Sequence, residues 1–363
     1  MREHWVQALV RHGKHSSAAR RAVDQVPVGH HLVASRTSMQ ASVDRHSPPT
    51  DALLLSHPSP TIPPGSIATS ERGGYRDLQQ IGRGGFGEVF KGKYSSGVGK
   101  DEVWKPVALK RALPSAKRGT DIEQHLHQQT RRLNALQREA QVYFSPTLNN
   151  GKCLHLALLR DVAQVRNSVG DLEPLLVLRW ADGPGNTLRG WLQKNAHTDI
   201  AATIETRLGF AVQMVAGLQE LHYGGARTPA AAAGRHRATT PLFVHQDLKP
   251  ANILLFGGGA GDGGPVRLAL TDFGLTVAYN DRNAVGTVGG TRGYMAPEQL
   301  LGVRALSPDR DMWAAGMVLA QLFGGVATAR AVRKYRRYVQ NGQYFIWLHC
   351  CLLVNWVDSF SNL

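Results

Sequence analysis

VHQDLKPANILL, Val244 to Leu255, sets an acid, a base and an amide, Asp247, Lys249 and Asn252, within one short loop. Pro250 stops a helix from running through them, and the apolar Ile253, Leu254 and Leu255 read as a strand that pins the loop's far end.

Downstream, LTDFGL, Leu270 to Leu275, offers a second isolated carboxylate, Asp272, after an apolar strand and before a glycine that permits a sharp turn. A carboxylate and an amide oxygen can hold magnesium, a hard cation that bridges phosphates. Upstream, GRGGFGEV, Gly82 to Val89, is a glycine-rich turn between two strand-like runs in YRDLQQIGRGGFGEVFKGKY, Tyr75 to Tyr94. Glycines there let backbone N–H groups close over phosphate oxygens. A dinucleotide site needs a helix straight after the third glycine, whereas EVFKGKY reads as strand. VWKPVALKRAL, Val103 to Leu113, adds a third strand carrying Lys110 one strand after the turn, which sets its ammonium beneath the glycine loop.

With the glycine loop, VALK, HQDLKPAN, DFG and YMAPE, Tyr294 to Glu298, in this order, the chain resembles the eukaryotic protein kinases over roughly Tyr75 to Gly325. The resemblance implies an α+β fold of two lobes, a small β-rich N-lobe and a mainly helical C-lobe, with ATP and Mg2+ between them. By it Asp247 takes the proton of a substrate hydroxyl, Lys249 neutralises the transferring phosphoryl group, and Asn252 and Asp272 hold magnesium. Lys110 is held by a glutamate on the helix expected from Asp121 to Phe144: Glu139 is chosen on helical phase, with Glu123 the alternative. Ile81, Gly82, Gly84, Gly87, Val89, Ala108, Lys110, Leu178 and Leu254 surround the nucleotide, and Arg179 to Ala181 form the hinge. DLKPAN with GTRGYMAPE is similar to the serine/threonine branch, where Thr291 bonds to Asp247 and Lys249, so the partner implied is a protein with Ser or Thr hydroxyls. IGRGGFGEVFKG is similar to the tyrosine-kinase-like and plant receptor-like groups.

The sequence departs from the family in two places. Gln246 stands before the catalytic aspartate where the family has arginine, which removes a charge that reads phosphate on the activation segment. DRDMWAAGMVLAQLFGG, Asp309 to Gly325, resembles the central helix of the large lobe, with Asp311 as a buried acid bracing the catalytic loop. Past it, motif reading finds no match and no arginine to pair with Glu298. The expectation is a C-lobe truncated after its central helix by a different reading of the gene; the other reading is a divergent final helix. A catalytically impaired kinase-fold binding or scaffold protein is accordingly the alternative function.

Domain limits follow: 1–74 a disordered basic tail rich in Ser, His, Pro and Arg, 75–182 the N-lobe and hinge, 183–329 a partial C-lobe, and 330–363 a tail without family match. The tail reads as a plain flexible segment rather than an organelle transit peptide, so a cytoplasmic location is expected. The formal net charge of +15 points to a polyanionic partner, but no zinc, homeodomain or RNA-module signature accompanies it, and no specific nucleic acid is expected. Cys153, Cys350 and Cys351 make no disulfide framework or CxxC site. The apolar run from Tyr344 to Val357 is broken by His349 and Asn355 and is shorter than the roughly 20 residues of a membrane span.

Overall fold

The structure, a computed structural model, describes residues 61–84, 87–95, 103–113, 122–148, 153–157, 159–224, 242–257, 264–279, 289–303 and 306–340, and the side chains of all but 122–127 and 325–340. Six strands close into a barrel in the order β1 (Ala68–Ser70), β2 (Gly73–Arg83), β3 (Gly87–Ser95), β4 (Trp104–Ala112), β6 (Leu172–Arg179) and β5 (Leu159–Arg166). Every pairing is antiparallel. Helix α1, Ile122–Tyr143, lies between β4 and β5 in sequence.

Alternation along β6 explains its continuous apolar sequence. Leu175 and Val177 join Val107, Leu109 and Phe90 inside the barrel, whereas Leu176 and Leu178 join Leu136, Ala140 and Tyr143 of α1 in a second core. One strand therefore serves two cores, and neither face of it can be polar.

The larger core continues into a mainly helical part: α2 (Leu188–Lys194), α3 (Ile204–Tyr223), the short ladders β7 (Phe243–Val244) with β10 (Val277–Ala278) and β8 (Ile253–Phe256) with β9 (Arg267–Leu270), then α4 (Pro297–Leu300) and α5 (Asp309–Gln340). Thr187 caps α2 by accepting from Gly190 N. Gly224, at φ 79°, ends α3 where a side chain would be strained. Helices α3 and α5 run antiparallel, joined at one end by Arg207 Nη1 donating to Leu322 O and at the other by His222 and Asp311.

Three expectations need correction. Strand β1 lies inside the segment assigned to the disordered tail, because Ala68 is fully buried among the barrel residues and its pairing with β2 and β5 outweighs an unremarkable local sequence. Cys153 to Leu159 reads as a strand, but among its described residues ahead of β5 it makes a single bridge, Leu156 to Leu270, with Ala157 N donating to Leu270 O. On α3 the three- and four-residue spacing of Leu208, Ala211, Val212, Val215, Leu218 and Leu221 predicts one apolar face; Leu218 and Leu221 are buried, but Leu208, Val212 and Val215 are exposed, and the buried face is completed by Arg207, Phe210 and Met214. The charged Arg207 misled the periodicity, since its guanidinium is accommodated by Thr203 Oγ1, Leu322 O and the Trp191 ring.

Among the described residues no helix is long and apolar enough to cross a membrane. The 1–60 part of the tail, most of the two low-complexity stretches that read as surface-loop inserts, RTPAAAAGRHRATTP (227–241) and FGGGAGDGGP (256–265), and residues 341–363 lie outside the described residues, as does Thr287, an activation-segment residue whose phosphate an arginine at position 246 would read. Helix α5 itself runs on past Gly325, through residues that carried no motif.

Candidate active site

Backbone register builds the upper half of the site. Gly82 faces Val89, Val89 faces Lys110 and Lys110 faces Leu176, one row across four strands. The next row sets Lys91, Ala108 and Leu178 side by side. Since residues two apart share a face, Ala108 and Lys110 emerge on the side opposite the barrel interior. Gly84 N donates to Gly87 O at 2.8 Å to tighten the glycine hairpin, whose tip, residues 85–86, lies outside the described residues. A Cβ on Gly87 would stand 2.6 Å from Arg111 O, so only glycine lets β3 approach β4 here. Ile81 occupies a register shift between Gln80 and Gly82 and is 49% exposed, an apolar side chain left open beside the hairpin. Leu178 belongs to the larger core, and Ala108 and Leu254 pack against it; Leu254 also packs with Ala181, just past β6.

Lys110 Nζ stands 2.6 Å from Glu139 Oε2 and 2.6 Å from Asp272 Oδ1. The contact with Glu139 unites β4 with α1; the side chain of Glu123, the alternative, lies outside those described. Burial disfavours the Lys110 ammonium, but the charges of Asp272 and Glu139 outweigh it and hold its pKa above the ordinary lysine value. Glu139 is almost wholly buried, and burial pushes its carboxyl up despite Lys110. For Asp272, burial is overcome by Lys110, assisted by Lys249 and His245, and its carboxyl is held below the usual range.

The lower half is a loop held from behind. Asp311, fully buried, accepts from Gln246 N at 2.8 Å through Oδ1, and from His245 N at 2.7 Å and His222 Nε2 at 2.8 Å through Oδ2. His245 in turn donates from Nε2 to Thr271 O and accepts Asp247 N at Nδ1. Gln246 and Asp272 both adopt left-handed backbone, φ 65° and 66°, sharp turns that only firm bracing maintains in residues with a Cβ. Pro250 to Asn252 form a single 3-10 turn that leads into β8.

Around Asp247 the polar groups converge. Lys249 Nζ donates to Asp247 Oδ2 at 2.5 Å and to Thr291 Oγ1 at 2.7 Å, while Thr291 N donates to Asp247 Oδ1 at 2.7 Å. Asn252 Nδ2 donates to Asp247 O at 2.9 Å and reaches Oδ2 at 3.3 Å. The amide nitrogen is thus committed to Asp247, which leaves the oxygen as the atom suited to a hard cation. The Asp272 side chain, 41% exposed, is the complementary oxygen donor. Among the described residues no cluster of three or more His, Cys, Asp or Glu forms a metal site by itself, so magnesium held by Asn252 and Asp272 would complete its shell with phosphate and water oxygens.

Residues 185–357 match the family model described as protein kinase domain. These residues carry the catalytic-loop side of the site and continue through the segment in which motif reading finds no likeness. Over 277 residues, 74% of this chain and 44% of the relative, the chain is 26% identical to the interferon-induced, double-stranded RNA-activated protein kinase of Rattus norvegicus. It is 28% identical to cyclin-dependent kinase 4 of Xenopus laevis over 253 residues, 69% of this chain and 64% of the relative. A shorter match, 45% over 81 residues and 22% of each chain, is to cyclin-dependent kinase 7 of Carassius auratus. The chain spans less than two thirds of the length of these relatives. Together the matches make the chain similar to protein kinases, by the family model over its catalytic-loop side and by the longer alignments over most of its length.

Sequence reading missed several residues that hold the site. Arg111, inside the barrel, joins Glu88 Oε2 to Glu173 Oε2, and Asn167 Nδ2 donates to the same Glu173, a polar plug against the glycine hairpin. Its signal was weak, because Arg111 follows the strand alternation but carries the wrong polarity for the barrel face. Gln299 Nε2 donates to Gly289 O and Gln246 O, tying α4 to the catalytic loop. Arg310 is 3% exposed in the first turn of α5, where a cation opposes the helix dipole; that misplacement was a readable signal.

Proposed function

We propose that the protein transfers the γ-phosphoryl group of ATP to serine or threonine hydroxyls of protein substrates. One observation carries this reading: Lys110, paired with Glu139 and Asp272, lies in the same site as Asp247, itself surrounded by Lys249, Asn252 and Thr291. Phosphoryl transfer asks a protein for placement and charge neutralisation, which is what such a constellation supplies.

In the proposed reaction Asp247 accepts the substrate hydroxyl's proton as its oxygen bonds to the γ-phosphorus, and the bond to the bridging oxygen breaks to release ADP. Lys249 spreads the growing negative charge, and Thr291 keeps both Asp247 and Lys249 in register. Lys110 orients the phosphates from above, with the backbone around Gly82, Gly84 and Gly87 closing over them. Magnesium on Asn252 and Asp272 would neutralise the phosphate oxygens. The hydroxyl preference for serine and threonine rests on the Lys249 to Thr291 bond, which supports the branch that the sequence resembles.

The test is transfer of labelled phosphate from ATP with magnesium to a generic basic protein, followed by phosphoamino-acid analysis. Phosphoserine and phosphothreonine that disappear in Asp272→Ala are expected. ATP binding without any transfer by the unaltered protein overturns the catalytic reading in favour of a binding module.

A further inference from the structure

Gln246, the residue ahead of Asp247, makes four side-chain and backbone bonds to three separate elements, two of them to α5. Its backbone N donates to Asp311 Oδ1 at 2.8 Å, and its Nε2 donates to Leu275 O at 2.8 Å, in the segment after DFG. Its Oε1 accepts from Arg310 Nη1 at 3.1 Å, and its backbone O accepts from Gln299 Nε2 at 3.3 Å. The partners fix the amide's orientation: turned over, it would set N–H groups against a guanidinium and an oxygen against a carbonyl.

Arg310 is the other half of this arrangement. It is 3% exposed, donates its Nη2 to Val303 O at 2.6 Å, and keeps a buried Nε with no hydrogen-bond partner among the described residues. Among the described residues no carboxylate oxygen comes within ion-pair distance of it, although Glu298 and Asp311 are close enough to favour its charge. The space behind the catalytic loop therefore already contains one buried, incompletely compensated cation, which touches the Gln246 side chain.

We propose that Gln246 and Arg310 are a mutually exclusive pair in which α5 supplies the one buried cation that the described residues place in this space, and Gln246 is the neutral positioning residue that ties Asp247 to it. The idea rests on the kinase reading above for its catalytic consequence, but its electrostatic core concerns the folded protein alone. Arginine at position 246, the residue that the family resemblance would suggest as a repair, is then harmful here. It brings a second guanidinium against Arg310 in a low-dielectric space and forfeits the acceptor that Arg310 uses.

The experiment compares the full chain with Gln246→Arg, Arg310→Gln, Gln246→Arg with Arg310→Gln, and Gln246→Glu, by thermal unfolding without nucleotide and by kcat and KM for ATP. Gln246→Arg is expected to melt lower and to lose at least tenfold in kcat with KM for ATP within twofold, since the loop that carries Asp247 shifts while the upper half of the site stays in place. The exchanged pair is expected to recover both quantities beyond what the single variants add up to. Gln246→Glu, of the parent's shape and attractive to Arg310, is expected to melt above Gln246→Arg. Additive single effects, or a glutamate variant that melts at or below the arginine one, overturn the proposal. An unaltered protein without phosphoryl transfer removes the kinase reading and leaves the melting comparison to decide the pair.

Discussion

Asparagine in place of Asp311 changes almost nothing in shape and much in hydrogen bonding. The carboxylate takes three donors, Gln246 N at 2.8 Å, His245 N at 2.7 Å and His222 Nε2 at 2.8 Å, all of them buried. The amide keeps one acceptor and adds a donor; its best orientation gives the oxygen to the two donors on the Oδ2 side and turns NH2 toward Gln246 N. That orphans one buried N–H at about 1–3 kcal/mol and weakens two bonds that were charge-assisted, for a total of about 3 kcal/mol. Because about 1 kcal/mol moves the melting temperature of a domain of this size by about 2–4 °C, calorimetry should record a fall of roughly 6–12 °C. Turnover should fall further than stability alone implies, as His245 and Gln246 are the backbone from which Asp247 projects. A melting temperature within about 2 °C of the parent, with kcat intact, would refute the idea that this buried acid organises the loop.

Other substitutions probe the upper half. Gly87→Ala drives a Cβ to 2.6 Å from Arg111 O and should raise KM for ATP severalfold while costing about 1–3 kcal/mol of stability, read by ATP titration and urea unfolding. Arg111→Met takes the buried cation from Glu88 and Glu173, leaving them the more distant Arg83 and the Asn167 amide, and should destabilise by about 3 kcal/mol, with part of the loss restored by adding Glu88→Gln. The raised Lys110 and lowered Asp272 set the pH range of their pairing: it is present from above the ordinary aspartate pKa to below the ordinary lysine pKa, and is lost as acid passes below the Asp272 value or base above the Lys110 value. Lys110→Met leaves Glu139 buried with its pKa already raised, so its contribution is present in acid and lost as pH rises through that value; the variant should melt closer to the parent at pH 5 than at pH 8, and an unchanged gap contradicts the assignment.

Local chemistry made much of this legible. Lys110, Asp247, Asn252 and Asp272 lie beside turns and strands whose glycines, Pro250 and short apolar runs declare themselves in sequence, and Glu139 follows from the phase of an uninterrupted helix. What stayed hidden depends on distant partners. Ala68 is buried only because Thr69 finds Gln164 across the barrel, a pairing no local pattern announces. Arg111, Arg207 and Arg310 are charged residues in buried places, where periodicity reads polarity as exposure and goes astray. The exposed Leu208, Val212 and Val215 show the converse error on α3.

Strand β1 carries a practical warning. It joins β2 through three residue pairs and β5 through one, and so completes the ring. A shortened protein started at Tyr75, the boundary that composition suggests, would lose that stave and bare the rims of both neighbours. Unpaired rims of that kind recruit strands from other molecules. Such a product is expected to clump during expression, whereas one begun ahead of Thr61 keeps the ring shut.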